Sequence, residues 1–237
     1  MVHTLPTMTD RQLADPEFFT SQLLAWFEEH GRDFPWRQTD DPYRILICEV
    51  LLRRSRSSTV SKIVEGFFER WPTPAALAAA ETVDVMDVIR PLGLTKRAQQ
   101  LIDLGRALDE ASNFPDSIDA LMELPGVGRY AAAATLGEPT VDGTSARVYR
   151  RYFGRLDASE HKTVDEDLWQ LATTVLHPGA DPRRNMNWAV LDLAAEVCRP
   201  AHPRCDVCPL ASGCEWAIAA GRPGMRHTSM PSEPGGC

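Results

Sequence analysis

The sequence lacks the features that would place it in a membrane or outside the cell. No apolar run reaches the length needed to span a bilayer, and the opening residues, MVHTLPTMTDRQ, lack the basic and apolar regions of a secretory signal. Residues 67–114 contain no run that alternates polar and apolar side chains as a strand would. We therefore expect a helical protein of the cytoplasm with no membrane partner.

Positive charge is also scarce. The 25 Lys and Arg residues are outnumbered by 33 Asp and Glu, which gives a net charge of -8. This balance disfavours a protein that coats DNA, because phosphate binding needs cations, but it allows a local basic face. The 237 residues, of which 43% are hydrophobic, suffice for one large domain or two small ones.

Cysteines are few, and four of the six crowd into the pattern C-x6-C-x2-C-x5-C, formed by Cys198, Cys205, Cys208 and Cys214. In a long chain without an export signal, such crowding favours metal or cluster ligation over disulfides. Zinc sites with four thiolates usually show two CxxC pairs, and only one is present here. The spacing therefore favours a 4Fe-4S cluster, with zinc as the alternative. Cys48 is expected to be a small core residue.

A glycine-containing turn, LPGVGRY, lies between a short helix expected over residues 117–124 and an alanine-rich helix. Gly126 and Gly128 allow a tight turn whose bare N–H groups, at a helix that begins at Arg129, attract a phosphate. The order is that of a helix-hairpin-helix, although such a turn alone also serves as an ordinary helix connection. We predict that these three residues hold a nucleic-acid backbone.

Two acidic residues occupy positions that would separate their protonation states. Glu49 stands alone in a helix that is apolar nearly all round, and desolvation there would raise its pKa, as a general acid requires. Asp142 lies at or just before a helix N-terminus, whose dipole holds a carboxylate ionised. Such a pair is what glycosidic bond cleavage uses. The plainer alternatives are a buried ion pair for Glu49 and an ordinary helix cap for Asp142.

Several arginines could contact DNA. Arg53, Arg54 and Arg56 follow the Glu49 helix and suit phosphates or base edges, although a solvated helix end would look similar. The helix after Asp142 carries four more, namely Arg147, Arg150, Arg151 and Arg155. Among these we expect Arg147 to contact DNA. Lys96 and Arg97 are either a further contact with the DNA backbone or plain solvent-facing charge.

The hairpin, the downstream Asp142 and the four-cysteine loop together resemble the helix-hairpin-helix (HhH-GPD) DNA glycosylases of the endonuclease III and MutY superfamily, over residues 18–216. The resemblance implies an all-α fold of two helical domains with a DNA cleft between them, a 4Fe-4S loop, and Asp142 as the catalytic carboxylate. Lyase members carry a lysine where this chain has Tyr130, which cannot form a Schiff base, so we predict a monofunctional glycosylase. Thr144 replaces an asparagine common in the family.

The sequence gives less direct information about which base is removed. The segment PWRQTDDPYRILICEVLLRRSRS resembles both the MutY adenine glycosylases and the thymine or uracil mismatch glycosylases. MutY proteins generally have a glutamine pair in place of Arg53 and Arg54, and a further C-terminal domain, whereas this chain ends soon after its cysteines. We therefore expect T or U opposite G, with adenine as the alternative. A non-catalytic, redox-responsive iron-sulfur DNA-binding module is a third alternative, against which both carboxylates argue.

The resemblance also implies roles. The target base must be flipped out of mismatched or damaged double-stranded DNA into a pocket, which Glu49 and Tyr130 would line. Asp142 would stabilise the sugar cation, and the arginines after Glu49 would fill the gap or contact the orphan guanine. We expect a monomer associated with the nucleoid, with a mobile N-terminus over 1–15, a helical barrel over 26–134, a cluster domain made of 16–25 and 135–220, and a disordered tail over 221–237.

Overall fold

The computed structural model describes residues 15–93, 95–154, 166–176 and 183–221, and every regular element in these ranges is a helix, which confirms the all-α prediction. The α-helices in chain order are α1 Pro16–His30, α2 Pro42–Leu52, α3 Ser57–Arg70, α4 Pro74–Ala78, α5 Thr82–Ile89, α6 Ala98–Glu110, α7 Ile118–Met122, α8 Arg129–Leu136, α9 Gly143–Tyr152, α10 Glu166–Leu176, α11 Arg183–Glu196 and α12 Glu215–Ala219. None of these helices combines the length and apolarity that crossing a bilayer requires. Arg155 and the expected mobile termini, apart from Asp15 and Gly221, lie outside the described residues.

The chain divides into two compact units. The described residues of the first fall within 1–31, 141–180 and 185–237, and those of the second within 32–140 and 181–184. Helix α1 runs unbroken from its Asp15 cap to His30, and the second unit begins at Arg32. That unit extends to Thr140, beyond the left-handed Gly137 that ends α8. The expected domain bounds, 26–134 for the barrel and 16–25 with 135–220 for the cluster domain, stay predictions.

Helix α2 is the buried centre of the second unit because its sequence is apolar on nearly every side. Asp41 caps its start by accepting a hydrogen bond from the Tyr43 N–H, and Pro42 occupies the first helical position. All seven side chains over residues 45–51 are buried, including Cys48, as expected. Each large apolar side chain buried in this way contributes about 1.5–3 kcal/mol.

In the first unit, an aromatic cluster fixes α9 against α1. The ring of Phe19, which is fully buried, lies 4.9 Å from that of Tyr152 and 5.5 Å from that of Phe153, measured between centroids. The Tyr152 hydroxyl also donates a hydrogen bond of 3.1 Å to the carbonyl of Asp15, just before α1. These contacts orient α9, and therefore whatever lies at its N-terminus.

Tyr149, on the same helix, has a buried hydroxyl with no hydrogen-bond partner in the described part of the chain. Burial raises the pKa of this hydroxyl, and the nearby charge of Asp142 raises it further. Because an unsatisfied buried polar group costs about 1–3 kcal/mol, we expect Tyr149→Phe to raise the thermal midpoint by about 2–4 °C for each kcal/mol recovered. Circular dichroism would measure it. Tyr152→Phe is the control and should lower the midpoint, since it loses the bond to Asp15.

Candidate active site and cysteine loop

Asp142 is built into a capping box at the start of α9. Its Oδ1 accepts hydrogen bonds from the N–H groups of Thr144 and Ser145, at 2.8 and 2.7 Å, and from Ser145 Oγ at 3.1 Å. The Asp142 N–H in turn donates to Ser145 Oγ at 2.9 Å. No hydrogen bond from a described residue reaches the second carboxylate oxygen, Oδ2. The cap therefore fixes the carboxylate while leaving one oxygen outside the cap.

Arg147, one turn further along α9, is anchored inside the first unit. Its Nε donates to the Cys198 carbonyl at 2.9 Å and its Nη2 to the Ala194 carbonyl at 3.0 Å, at the C-terminal end of α11, where a cation is favoured. Burial lowers the pKa of this guanidinium. Two of its three nitrogens thus bind protein carbonyls, and the expected contact with DNA stays a prediction.

Arg151 attaches the cysteine loop to the same helix. Its guanidinium donates to the carbonyls of Arg199 and Pro200, at 2.7 and 2.8 Å, and lies over the ring of Trp216. The interval of four residues between Arg147 and Arg151 places both on one face of α9. Sequence reasoning missed this shared anchoring role, although the four-residue interval between the two arginines is visible in the sequence.

The four cysteines of the loop are free thiols that influence one another. Burial raises the pKa of the Cys208 thiol to about 12, and the charges of the other three contribute to the rise. Arg151 Nη1 donates to Cys198 Sγ at 3.4 Å, and Cys214 Sγ donates to the Arg151 carbonyl at the same distance. Across the described ranges, no set of three or more Cys, His, Asp or Glu residues forms a metal-ion site. The role of the cysteines as ligands stays a prediction.

In the second unit, Glu49 lies in the middle of α2 with a side chain only 9% exposed. Its charge acts on the adjacent Cys48, whose pKa is raised well above its usual value, first by burial and then by Glu49. The Glu49 side chain is therefore buried, as its place in an apolar helix predicts. Its role as an acid stays a prediction. Tyr130, in the first turn of α8, is partly buried, and its place in a base pocket also stays a prediction.

The hairpin consists of α7, the turn over residues 123–128, and α8. Gly126 has a φ of 80°, in the left-handed region that favours glycine, and a Cβ there would lie 2.5 Å from Gln100 Cδ. Gly128 caps α8 and is exposed, and a Cβ there would meet nothing within 4 Å. The helix start is therefore open on the side where a side chain would project.

The two glycines should respond differently to alanine. Gly126→Ala should lower the free energy of unfolding by about 1–2 kcal/mol, because a side chain disfavours the left-handed conformation. Gly128→Ala should leave stability within about 0.5 kcal/mol and weaken DNA binding severalfold, because its methyl group would stand where a phosphate approaches. Urea unfolding and fluorescence anisotropy with a short duplex measure the two effects. Equal destabilisation by both substitutions would contradict this division.

The three arginines after α2 differ in their contacts and backbone conformation. Arg53 Nη1 donates to the Gly126 carbonyl at 2.8 Å, which joins the end of α2 to the hairpin. Arg54 has a φ of 57°, and it is the one residue other than glycine with a positive φ in the described part of the chain. Arg56 precedes α3, and its side chain, like that of Arg54, is exposed. Contacts of these residues with DNA stay predictions.

Comparison with known proteins extends these observations. Residues 47–173 match the HhH-GPD superfamily of base excision DNA repair proteins. The thymine-DNA glycosylase of Aeropyrum pernix is 35% identical over 208 residues, which cover 84% of this chain and 93% of that protein. The adenine DNA glycosylase of Mycobacterium tuberculosis is 33% identical, with 99% of this chain and 76% of that protein covered. A solved thermostable thymine-DNA glycosylase superposes with a TM-score of 0.79 at 33% identity, covering 86% and 97% of the two chains.

The all-α fold, the glycine hairpin and the capped aspartate define a helix-hairpin-helix protein. The chain belongs to the HhH-GPD superfamily of base excision DNA repair proteins, which confirms the resemblance drawn from the hairpin, Asp142 and the cysteine spacing.

Proposed function

We propose that this protein is a monofunctional DNA glycosylase that hydrolyses the N-glycosidic bond of thymine or uracil opposite guanine, acting as a monomer on double-stranded DNA in the cytoplasm. The observation that carries the proposal is the match to a thymine-DNA glycosylase over 84% of this chain and 93% of that protein. Asp142 supports it, because a carboxylate held by its own helix cap keeps an oxygen for a ligand.

The chemistry follows from the two carboxylates. The protein flips the target nucleotide out of the stack, at a cost of a few kcal/mol that is smallest for a mismatched pair. Asp142 stabilises the positive charge that develops on the sugar as the bond to the base breaks, and helps water to attack. Glu49, desolvated in α2, protonates the departing base or orients the water.

A panel of duplexes tests the proposal. Single-turnover assays would score abasic sites in DNA that carries T, U or A opposite G, and A opposite 8-oxoguanine. We expect release of T and U opposite G. Preferential release of A would instead support an adenine glycosylase, the second candidate, which the match of 99% of this chain to such a protein favours. DNA binding without release of any base would support the third alternative, a non-catalytic iron-sulfur DNA-binding module.

The absence of a lysine after Arg129 in the hairpin predicts that the protein leaves the DNA strand intact after base release. We expect Tyr130→Lys to gain strand cleavage, because an amine can form the Schiff base that a phenol cannot. Denaturing gels run with and without alkali measure it, and borohydride would trap the covalent intermediate. Tyr130→Phe is the matched control and should show no cleavage. Strand cleavage by the wild-type protein without alkali would contradict the prediction.

The four-cysteine loop fits a 4Fe-4S cluster, which we propose as its cofactor. The thiols are free of disulfides. Burial raises the pKa of Cys208 and of Cys214, and N–H groups of Leu210, Trp216 and Ala217 oppose that rise by hydrogen bonding to the two sulfur atoms. When bound by Cys198, Cys205, Cys208 and Cys214, the cluster would cross-link the loop.

A further inference from the structure

Arg97 holds the C-terminal end of α2. Its Nη1 donates to the carbonyl of Val50 at 3.1 Å and to that of Arg53 at 2.7 Å. These carbonyls belong to the end of the helix, where backbone acceptors lack helical partners and a cation is favoured by the helix dipole. Arg97 is thus engaged with protein backbone, and it is not the plain exposed charge that its sequence allowed.

The same helix end is tied to the hairpin turn. Arg53, whose carbonyl Arg97 holds, donates from its own Nη1 to the Gly126 carbonyl at 2.8 Å. Gln100, one turn into α6 from Arg97, packs so closely on Gly126 that a Cβ there would clash with it. Arg97, Arg53 and Gln100 therefore form one continuous path from α2 to the turn that is expected to hold a phosphate.

Positive charge is concentrated along this path. Arg97 contacts the backbone of Arg53, the residue next to Arg54. Burial lowers the pKa of Arg97, and the charges of Arg53 and Arg54 lower it further. No carboxylate forms an ion pair with any of them within the described ranges. Such an uncompensated group suits the phosphates of DNA.

The neighbouring arginines remain available for that contact. The side chain of Arg54 makes no hydrogen bond within the described part of the chain, and its left-handed backbone directs the loop away from the helical path of α2. Arg56 contributes its carbonyl to the first turn of α3 and leaves its exposed side chain to solvent.

We propose that Arg97 and Arg53 are positioning residues, which hold the cationic loop of residues 53–56 in register with the hairpin turn so that Arg54 and Arg56 contact the DNA. This inference rests on the proposed glycosylase function. When the target base leaves the duplex, a protein side chain takes its place in the stack. That side chain must lie at a fixed distance from the phosphate that the hairpin holds, because the reaction requires near-attack geometry. Removal of the contacts that Arg97 and Arg53 make should therefore impair base flipping and base release more than it impairs DNA binding.

The test compares Arg97→Gln and Arg53→Gln with Arg54→Gln. Arg97→Lys keeps a charged donor, and Arg106→Gln is a control on α6, the helix that begins just after Arg97, at an exposed residue that pairs with Asp103. The measurements are the single-turnover rate at saturating protein, the Kd and its salt dependence on a duplex with T opposite G, and the thermal midpoint. A 2-aminopurine beside the mismatch reports flipping without base release.

We expect Arg97→Gln and Arg53→Gln to lower the saturated rate at least tenfold, and to reduce the 2-aminopurine signal, with an unchanged salt slope. Arg54→Gln should reduce the salt slope by about 0.9, as the loss of one phosphate contact does. Arg97→Lys should stay within about threefold of the wild-type rate, as enough charged donors remain to hold the carbonyls. Arg106→Gln should behave as wild type.

The proposal is overturned if Arg97→Gln and Arg53→Gln reduce the salt slope while the saturated rate is unchanged, since both arginines would then be phosphate contacts. It is also overturned if either substitution lowers only the thermal midpoint, which would indicate a purely structural role. A wild-type protein that releases no base from any duplex would contradict the proposed function instead. The 2-aminopurine comparison would still decide the positioning role in that case.

Discussion

Asp142→Asn is expected to abolish base release while leaving the fold intact. The asparagine carbonyl can accept the same hydrogen bonds from Thr144 and Ser145 that the Asp142 Oδ1 accepts, so the cap on α9 is retained. The neutral amide cannot stabilise positive charge on the sugar. We expect the single-turnover rate on T opposite G to fall by at least about a hundredfold.

Asp142→Ala separates the cap from the chemistry. It removes the charge and the cap together, so it should lose activity and also about 0.5–2 kcal/mol of stability. Asp142→Asn should keep the wild-type thermal midpoint and still bind the mismatched duplex. Near wild-type base release by the asparagine variant would refute the proposed mechanism.

Cys208→Ser is expected to remove the proposed 4Fe-4S cluster and to destabilise the first unit. The loop over residues 198–214 has little regular structure of its own beyond short 3-10 turns, so its conformation depends on what its cysteines bind. The free energy of binding a metal centre adds directly to folding, and its loss should lower the thermal midpoint by about 10 °C or more. Iron and sulfide analysis and visible absorption measure the cluster itself.

Cys48→Ala provides the comparison, because Cys48 is a buried core residue of the second unit, outside the cysteine loop. It should retain full iron and sulfide content, with at most a modest loss of stability from a smaller core side chain. Full iron content in Cys208→Ser would rule out that residue as a ligand. Zinc in place of iron in the wild-type protein would favour the mononuclear alternative.

The features that the sequence predicted well are those with local causes. The burial of α2 follows from its apolar periodicity, and its start follows from Asp41 and Pro42. The cap formed by Asp142 follows in the same way from the helix that begins at Gly143. Each depends on interactions within a few residues, which propensity and capping rules describe.

What the sequence could not predict are contacts between distant segments. Arg97 is separated by 44 residues from the carbonyl of Arg53, and Arg53 by 73 from that of Gly126. An arginine that caps a remote helix has the same sequence signature as one that binds phosphate, because both roles need only an exposed cation. The same ambiguity applied to Arg147, whose partners, the carbonyls of Ala194 in α11 and of Cys198 just after it, become neighbours only when the chain folds.

The open position at Gly128 has a practical consequence. A side chain placed there would project into empty space at the start of α8, so a bulky residue could be accommodated without displacing protein atoms. Because even a methyl group there is expected to hinder the approach of the DNA backbone, a larger residue should give a folded protein whose DNA binding is selectively impaired. In cells, such a variant would separate the effects of DNA binding from those of the protein's mere presence.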